Sequence, residues 1–279
     1  MPKRLFWGEK SRGMAILYLV LTAFVILTMI VQIWIGSWEN VFTCVLTLIL
    51  FLIPTFVNKT LKITLPQTLE IIIICFIFAA EILGELNAFY EKISWWDTML
   101  HALNGFLMAG IGFSMVDILN QSDRFRMQLS PFFVVLVAFC FSMTIGVLWE
   151  FFEFTMDCFT YTDMQKDHVV DVVSSVALDP TLSNKAVIIT GIEDVIVKGA
   201  QLMQDGVPVE GGELALQLGG YLDIGLHDTM KDMMVNFVGA VAFSGVGFAY
   251  LHGRGKGTFA KRFIPQLQRK KEAPAPDIE

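Results

Sequence analysis

Apolar residues in this chain come in long blocks, and charged residues collect in the gaps between them. Six blocks stand out, at about residues 14–35, 41–57, 65–90, 94–119, 131–159 and 227–251. A helix rises about 1.5 Å per residue and the hydrocarbon core of a bilayer is about 30 Å thick, so apolar runs of roughly 17–25 residues read as spanning helices. The first block follows Lys3, Arg4, Lys10 and Arg12, superficially the layout of a signal peptide. It is too long for one and no small-x-small cleavage site follows, so a spanning helix is expected. The gap at residues 160–226 is different in kind. It holds ten acidic residues and short β-like runs at 186–190, 194–198, 206–209 and 214–218, punctuated by Asp205-Gly206, Gly211-Gly212 and Gly219-Gly220. A small sheet-forming insertion is expected there rather than a disordered acidic loop.

The expected fold is an all-α integral membrane bundle of six transmembrane helices, with a β-rich extracytoplasmic insertion between helices 5 and 6. Residues 1–13 form a cytoplasmic arm, 14–159 helices 1–5, 160–226 the acidic insertion, 227–252 helix 6 and 253–279 a basic cytoplasmic tail that touches anionic headgroups.

Composition agrees with the blocks: 54% of residues are hydrophobic and 17% charged, against about 25% charged in ordinary soluble domains. A soluble two-domain enzyme is excluded, no nucleotide-binding glycine fingerprint occurs, and nucleic acid is not expected as a partner. The net charge of -7 hides a segregation that sets topology. Fifteen of the twenty Lys and Arg residues fall in the N-terminal arm, in the loops with Lys59 and Lys62 and with Arg124 and Arg126, and in the tail. By the positive-inside rule both termini are cytoplasmic, in a bacterial inner (cytoplasmic) membrane. Cys44, Cys75, Cys140 and Cys158 show no Cys-x-x-Cys spacing and are expected as small core residues.

Acidic residues inside the apolar blocks carry the candidate chemistry. Glu150, Glu153 and Asp157 are spaced i, i+3, i+7 among Phe151, Phe152, Phe154 and Met156, so one helix face is acidic. Glu81 and Glu85 share a face of the third block, Asp97, His101 and Asn104 one of the fourth, and Asp228, Asp232 and Asn236 one of the sixth, beside His227. An acid at a helix centre costs about 2.5–3.5 kcal/mol on insertion scales, so several unpaired ones would cost on the order of 10 kcal/mol. With few bases in these blocks, a shared divalent cation is the most economical partner. Asp97, His101, Glu150, Glu153, Asp157, Asp228 and Asp232 are the expected ligands; imidazole with carboxylate suits zinc, iron or manganese. Glu85, His101 and Glu150 are the candidate catalytic groups. The competing structural reading is a solvated acidic collar inside a belt of Trp34, Trp38, Trp95, Trp96 and Trp149, with His101 a hydrogen-bonded packing residue. Glu70 and Asp117 read as interfacial. The small residues Gly105, Ala109, Gly110, Gly239, Ala240, Ser244 and Gly245 are expected to permit close helix packing.

The string from Ser94 to His101 with Gly105-Phe106, then Trp149-Glu150, Glu153-Phe154 and Asp157, then Asp228-Thr229, Asp232 and Asn236 to Ala240, resembles the YjdF-like family of bacterial inner-membrane proteins. More distantly, the Asp-x-x-x-His, Glu and Asp-x-x-x-Asn-x-x-Gly order resembles VanZ-like membrane proteins. The likeness covers residues 70–250, with 164–220 looking like an insertion. The first resemblance implies no established activity; the second implies an association with glycopeptide tolerance, and so with envelope lipids or cell-wall precursors.

Three functions compete. One is a metal-dependent enzyme acting on a lipid or lipid-linked envelope substrate at the outer leaflet, with membrane lipids, a lipid-linked small molecule or a metal ion as partners. The second is a cation- or proton-coupled transporter or channel. The third is a non-catalytic structural or sensor protein whose intramembrane acids hold helices together.

Overall fold

The structure is a computed structural model that describes residues 12–60, 63–120, 129–160, 163–181, 183–204, 207–253, 262–264 and 266–267. Lys3, Arg4, Lys10, Lys62, Arg124, Arg126 and most of the tail's basic residues, on which the expected orientation rests, lie outside the described residues.

The chain is mostly helical. Among the described residues, five helical stretches are long and apolar enough to cross a membrane. They are α1 (Arg12–Ile35), the consecutive pair α2 (Trp38–Leu50) and α3 (Ile53–Thr60), α6 (Trp96–Asn120), α7 (Pro131–Thr160) and α8 (Leu226–His252). The block expected as the third crossing is divided. α4 (Gln67–Phe78) gives way at Ala79 to a π-helical segment, Ala79–Leu86, and the short α5 (Phe89–Lys92) follows. A π turn inserts one extra residue per turn, and such segments are rare and cluster at functional sites; this one carries Glu81 and Glu85. Helix starts follow simple chemistry. Pro131 opens α7, where a missing N–H costs nothing, and Pro66 precedes α4.

The strands are short and pair two by two, all antiparallel. β1 (Ile63–Thr64) pairs with β8 (Gln266–Leu267), and β2 (His168–Val170) with β7 (Tyr221–Asp223). β3 (Val172–Ser175) pairs with β4 (Val187–Thr190), and β5 (Ile196–Gln204) with β6 (Val207–Ala215). The run expected at 214–218 is no separate strand: Leu214 and Ala215 close β6, and Gln217 has a positive φ of 53° that ends extended structure.

The chain divides into two compact units, Met1–Val147 with Asp232–Glu279, and Leu148–Lys231. The first unit has two apolar clusters. In one, Met14, Tyr18 and Val25 of α1 pack with Cys44 and with Leu69, Ile74 and Ile77 of α4. In the other, Ala109 and Phe113 of α6 meet Val134 and Ala138 of α7 and Ala240 and Phe243 of α8. Ile264, beyond α8 in the segment expected as a solvated tail, is 3% exposed in this second cluster. Its neighbour Phe263 stacks edge-on against Phe106, ring centroids 5.4 Å apart. Glu70 and Asp117, expected near the membrane interface, are both buried within the protein, Glu70 accepting a hydrogen bond from the Tyr18 hydroxyl at 3.3 Å. One other expectation is corrected. Of the four cysteines, all free, only Cys44 is a core residue; Cys75, Cys140 and Cys158 are exposed.

Candidate functional site

In the first unit, acids of α6 and α8 meet around one histidine. Asp97 sits in the first turn of α6 and His101 one turn further, so both side chains share a face. His101 Nε2 lies 3.3 Å from Asp97 Oδ1 and 3.5 Å from Asp232 Oδ2 of α8. The Asp232 side chain is 2% exposed, those of His101 and Asp97 12% and 16%. One ligand atom from each of the three lies within 4.8 Å of the others. Two full negative charges at that separation repel by about 3.5 kcal/mol at an effective dielectric of about 20, so the pair needs a positive partner between its members. His101 stands in that position, and so could an ion.

The spacing bears on which. N–H···O bonds centre on about 2.9 Å, and both His101 contacts are longer. Atoms bound about 2.0–2.2 Å from a tetrahedral ion lie about 3.3–3.6 Å from one another, a range that includes both His101 separations.

Beneath this cluster the polar contacts continue for one turn. Asn104 Nδ2 donates to Asn236 Oδ1 at 3.2 Å, Asn236 Nδ2 to the Ser142 carbonyl at 3.5 Å, and Ser142 Oγ to the Gly105 carbonyl at 2.8 Å. Glu81 is 8% exposed on the π-helical segment, within electrostatic reach of the exposed Glu85.

The second unit holds the other expected residues. Glu150 and Glu153 of α7 are 5% and 8% exposed, whereas Phe151 and Phe154 beside them are 61% and 59% exposed. Trp149 Nε1 donates to Glu153 Oε1 at 2.7 Å. The acids therefore face protein and the rings face outward, the reverse of a solvated collar. Asp157 accepts from the backbone N–H groups of Met164 (2.7 Å) and Gln165 (2.9 Å), and Asp228 from that of Lys166 (2.9 Å). These two carboxylates tie the backbone of residues 164–166 to the two helices. Asp223, whose β-strand partner is His168, accepts from the backbone N–H of His227 and lies 2.9 Å from its ring Nδ1. Burial works to raise its pKa, but the bonds from His227 outweigh it and the net shift is downward. Asp167 shifts upward, through burial first and then the neighbouring Asp163, Asp157 and Asp223.

Of the residues expected from the sequence, the structure brings Asp97, His101 and Asp232 together, and Asn104 with Asn236. Reasoning from sequence missed Ser142 and Gly146, whose only signal was their place among the small residues of a long apolar helix.

An apolar multi-helix chain with an Asp-His-Asp cluster, Asp232 buried and Asp97 and His101 half-buried, defines the class: a helical membrane protein with a polar cluster between two of its helices. A family model described as "Predicted membrane protein (DUF2238)" matches residues 15–179, and the chain belongs to that family, in keeping with the YjdF-like resemblance. An uncharacterized protein of Thermotoga maritima is 33% identical over 93 residues, which are 33% of this chain and 46% of that protein. The match thus spans about half the length of that relative. No solved structure matches the chain.

Proposed function

We propose that the protein is a membrane-embedded, metal-dependent enzyme acting on a lipid or lipid-linked envelope substrate. A divalent transition ion, zinc, iron or manganese, is held by Asp97, His101 and Asp232. The observation that carries the reading is the pair of His101 contacts at 3.3 and 3.5 Å to two carboxylates on different helices. Three protein ligands leave a position open, where an ion polarises a carbonyl or phosphoryl oxygen or lowers the pKa of a bound water. In this proposal Glu85 handles protons. The topology is six crossings, with residues 67–86 supplying the third, both termini cytoplasmic and the cluster near the outer leaflet of the inner membrane.

An apolar layer further along α6 and α8 supports a dead-end site over a conduit. Phe113 and Phe243 are 0% and 1% exposed, and Phe106 stacks on Phe243 with centroids 5.1 Å apart.

The test is elemental analysis of the purified protein beside His101→Ala. About one equivalent of a transition metal is expected in the wild type and little in the variant. A wild-type protein that is folded, metal-free and unable to take up zinc, iron or manganese sinks the proposal. Glu85→Gln should keep the metal while abolishing turnover of envelope lipids.

A further inference from the structure

Asn236 is 1% exposed, one helical turn below Asp232 on α8, and parts of three helices are shaped around it. From α6, Gly105 lies so close that an added Cβ would run into the Asn236 carbonyl oxygen. From α7, a Cβ on Gly146 would come within 2.7 Å of Asn236 Nδ2. The approach of α6 and α8 is reciprocal, since a Cβ on Gly239 would run into the Ala102 carbonyl oxygen. The side chain is held on every polar atom: Oδ1 accepts from Asn104, and Nδ2 reaches the Ser142 carbonyl and, at 3.6 Å, Met143 Sδ. Ser142 in turn grips the Gly105 carbonyl.

We infer that Asn236 is the positioning residue of the Asp97–His101–Asp232 centre. Locked between α6 and α7, it sets the rotation and depth of α8, and thereby places Asp232 at 3.5 Å from the His101 ring. A helix turns about 100° per residue, so a small rotation at Asn236 carries Asp232 sideways with it. The general packing role of small residues explains the close approach of the helices; it does not explain why a polar side chain with three polar contacts fills the crossing. The inference rests on the metal reading above.

Cobalt(II), added to the metal-stripped full-length protein in detergent, is the probe, since its visible absorption reports ligand geometry. Asn236→Ala and Gly105→Ala should weaken cobalt binding about 10- to 100-fold, the usual effect of losing an outer support, and should alter the absorption bands. Gly245→Ala, where an added Cβ meets nothing within 4 Å, should leave both unchanged. If Asn236→Ala does not fold, Asn104→Ala, at a half-buried position, decides the matter by the same bands. Wild-type affinity and spectrum in a folded Asn236→Ala or Asn104→Ala protein overturn this inference alone. A wild type that binds no cobalt overturns it together with the metal reading.

Discussion

One ring nitrogen of His101 faces two carboxylates on different helices. Its removal leaves Asp97 and Asp232 repelling each other, and His101→Ala should lower the thermal midpoint of the metal-free protein by about 1–3 kcal/mol equivalent, read by differential scanning fluorimetry. Asp179 shows the opposite situation, an acid that folding satisfies fully. It accepts from the hydroxyl and backbone N–H of both Thr181 and Ser183 at 2.6–2.9 Å, which holds its carboxyl well below the usual range. A depressed pKa in the folded state stabilises above the unfolded value of about 3.9 and is lost as pH falls further. Amide exchange at Thr181 and Ser183, corrected for intrinsic rates, should lose protection below about pH 4, and Asp179→Asn should remove that dependence. Asp167 has the contrary sign. Its raised pKa makes its ionised form a liability that is relieved as pH falls through that pKa.

Among the elements, α6 is the one the others are built around. It offers Gly105 to α8 and Ser142, Gly110 to Phe243, and Gly112 to Phe141. Ser142→Ala removes the bond to the Gly105 carbonyl and should cost about 1 kcal/mol in unfolding free energy, measured by denaturant titration in mixed micelles. The third apolar block shows what block length leaves open. Its composition suits a crossing, yet the backbone widens to π geometry at Ala79–Leu86, and Gly84 lets the Tyr90 ring lie against it. Nothing in the periodicity of apolar residues distinguishes a π turn from an α turn over eight positions, because the two differ by about one residue per turn.

For the molecule as a whole, stability is expected to draw on the ion proposed above and on the returning C-terminal segment. At a free ion concentration of about 100 times Kd, a ligand that binds only the folded state adds about 2.7 kcal/mol. A chelator should therefore lower the unfolding midpoint of the wild type and leave that of Asp232→Ala unchanged. Ile264→Ala should cost about 2–4 kcal/mol, the range for a buried aliphatic side chain, where a solvated tail would show no change in the same thermal assay. Ile264→Val is the milder control, at about 1 kcal/mol.

Length and polarity of the apolar blocks were enough to establish a multi-helix membrane protein, because the bilayer forbids unsatisfied backbone and so dictates long helices. The spacing of acids along each helix was enough to put Asp97 with His101, and Asp232 with Asn236, since the 3.6-residue period is local. Which helix faces meet is a matter of packing between residues more than a hundred positions apart. Only the tertiary structure brought Asp232 to His101, tied Asp157 and Asp228 to the 164–166 backbone, and buried Ile264 against α6 and α8. Each of those outcomes depends on side-chain volume at a crossing, as where Gly105 and Gly239 admit a neighbouring backbone, and volume has no periodicity to read.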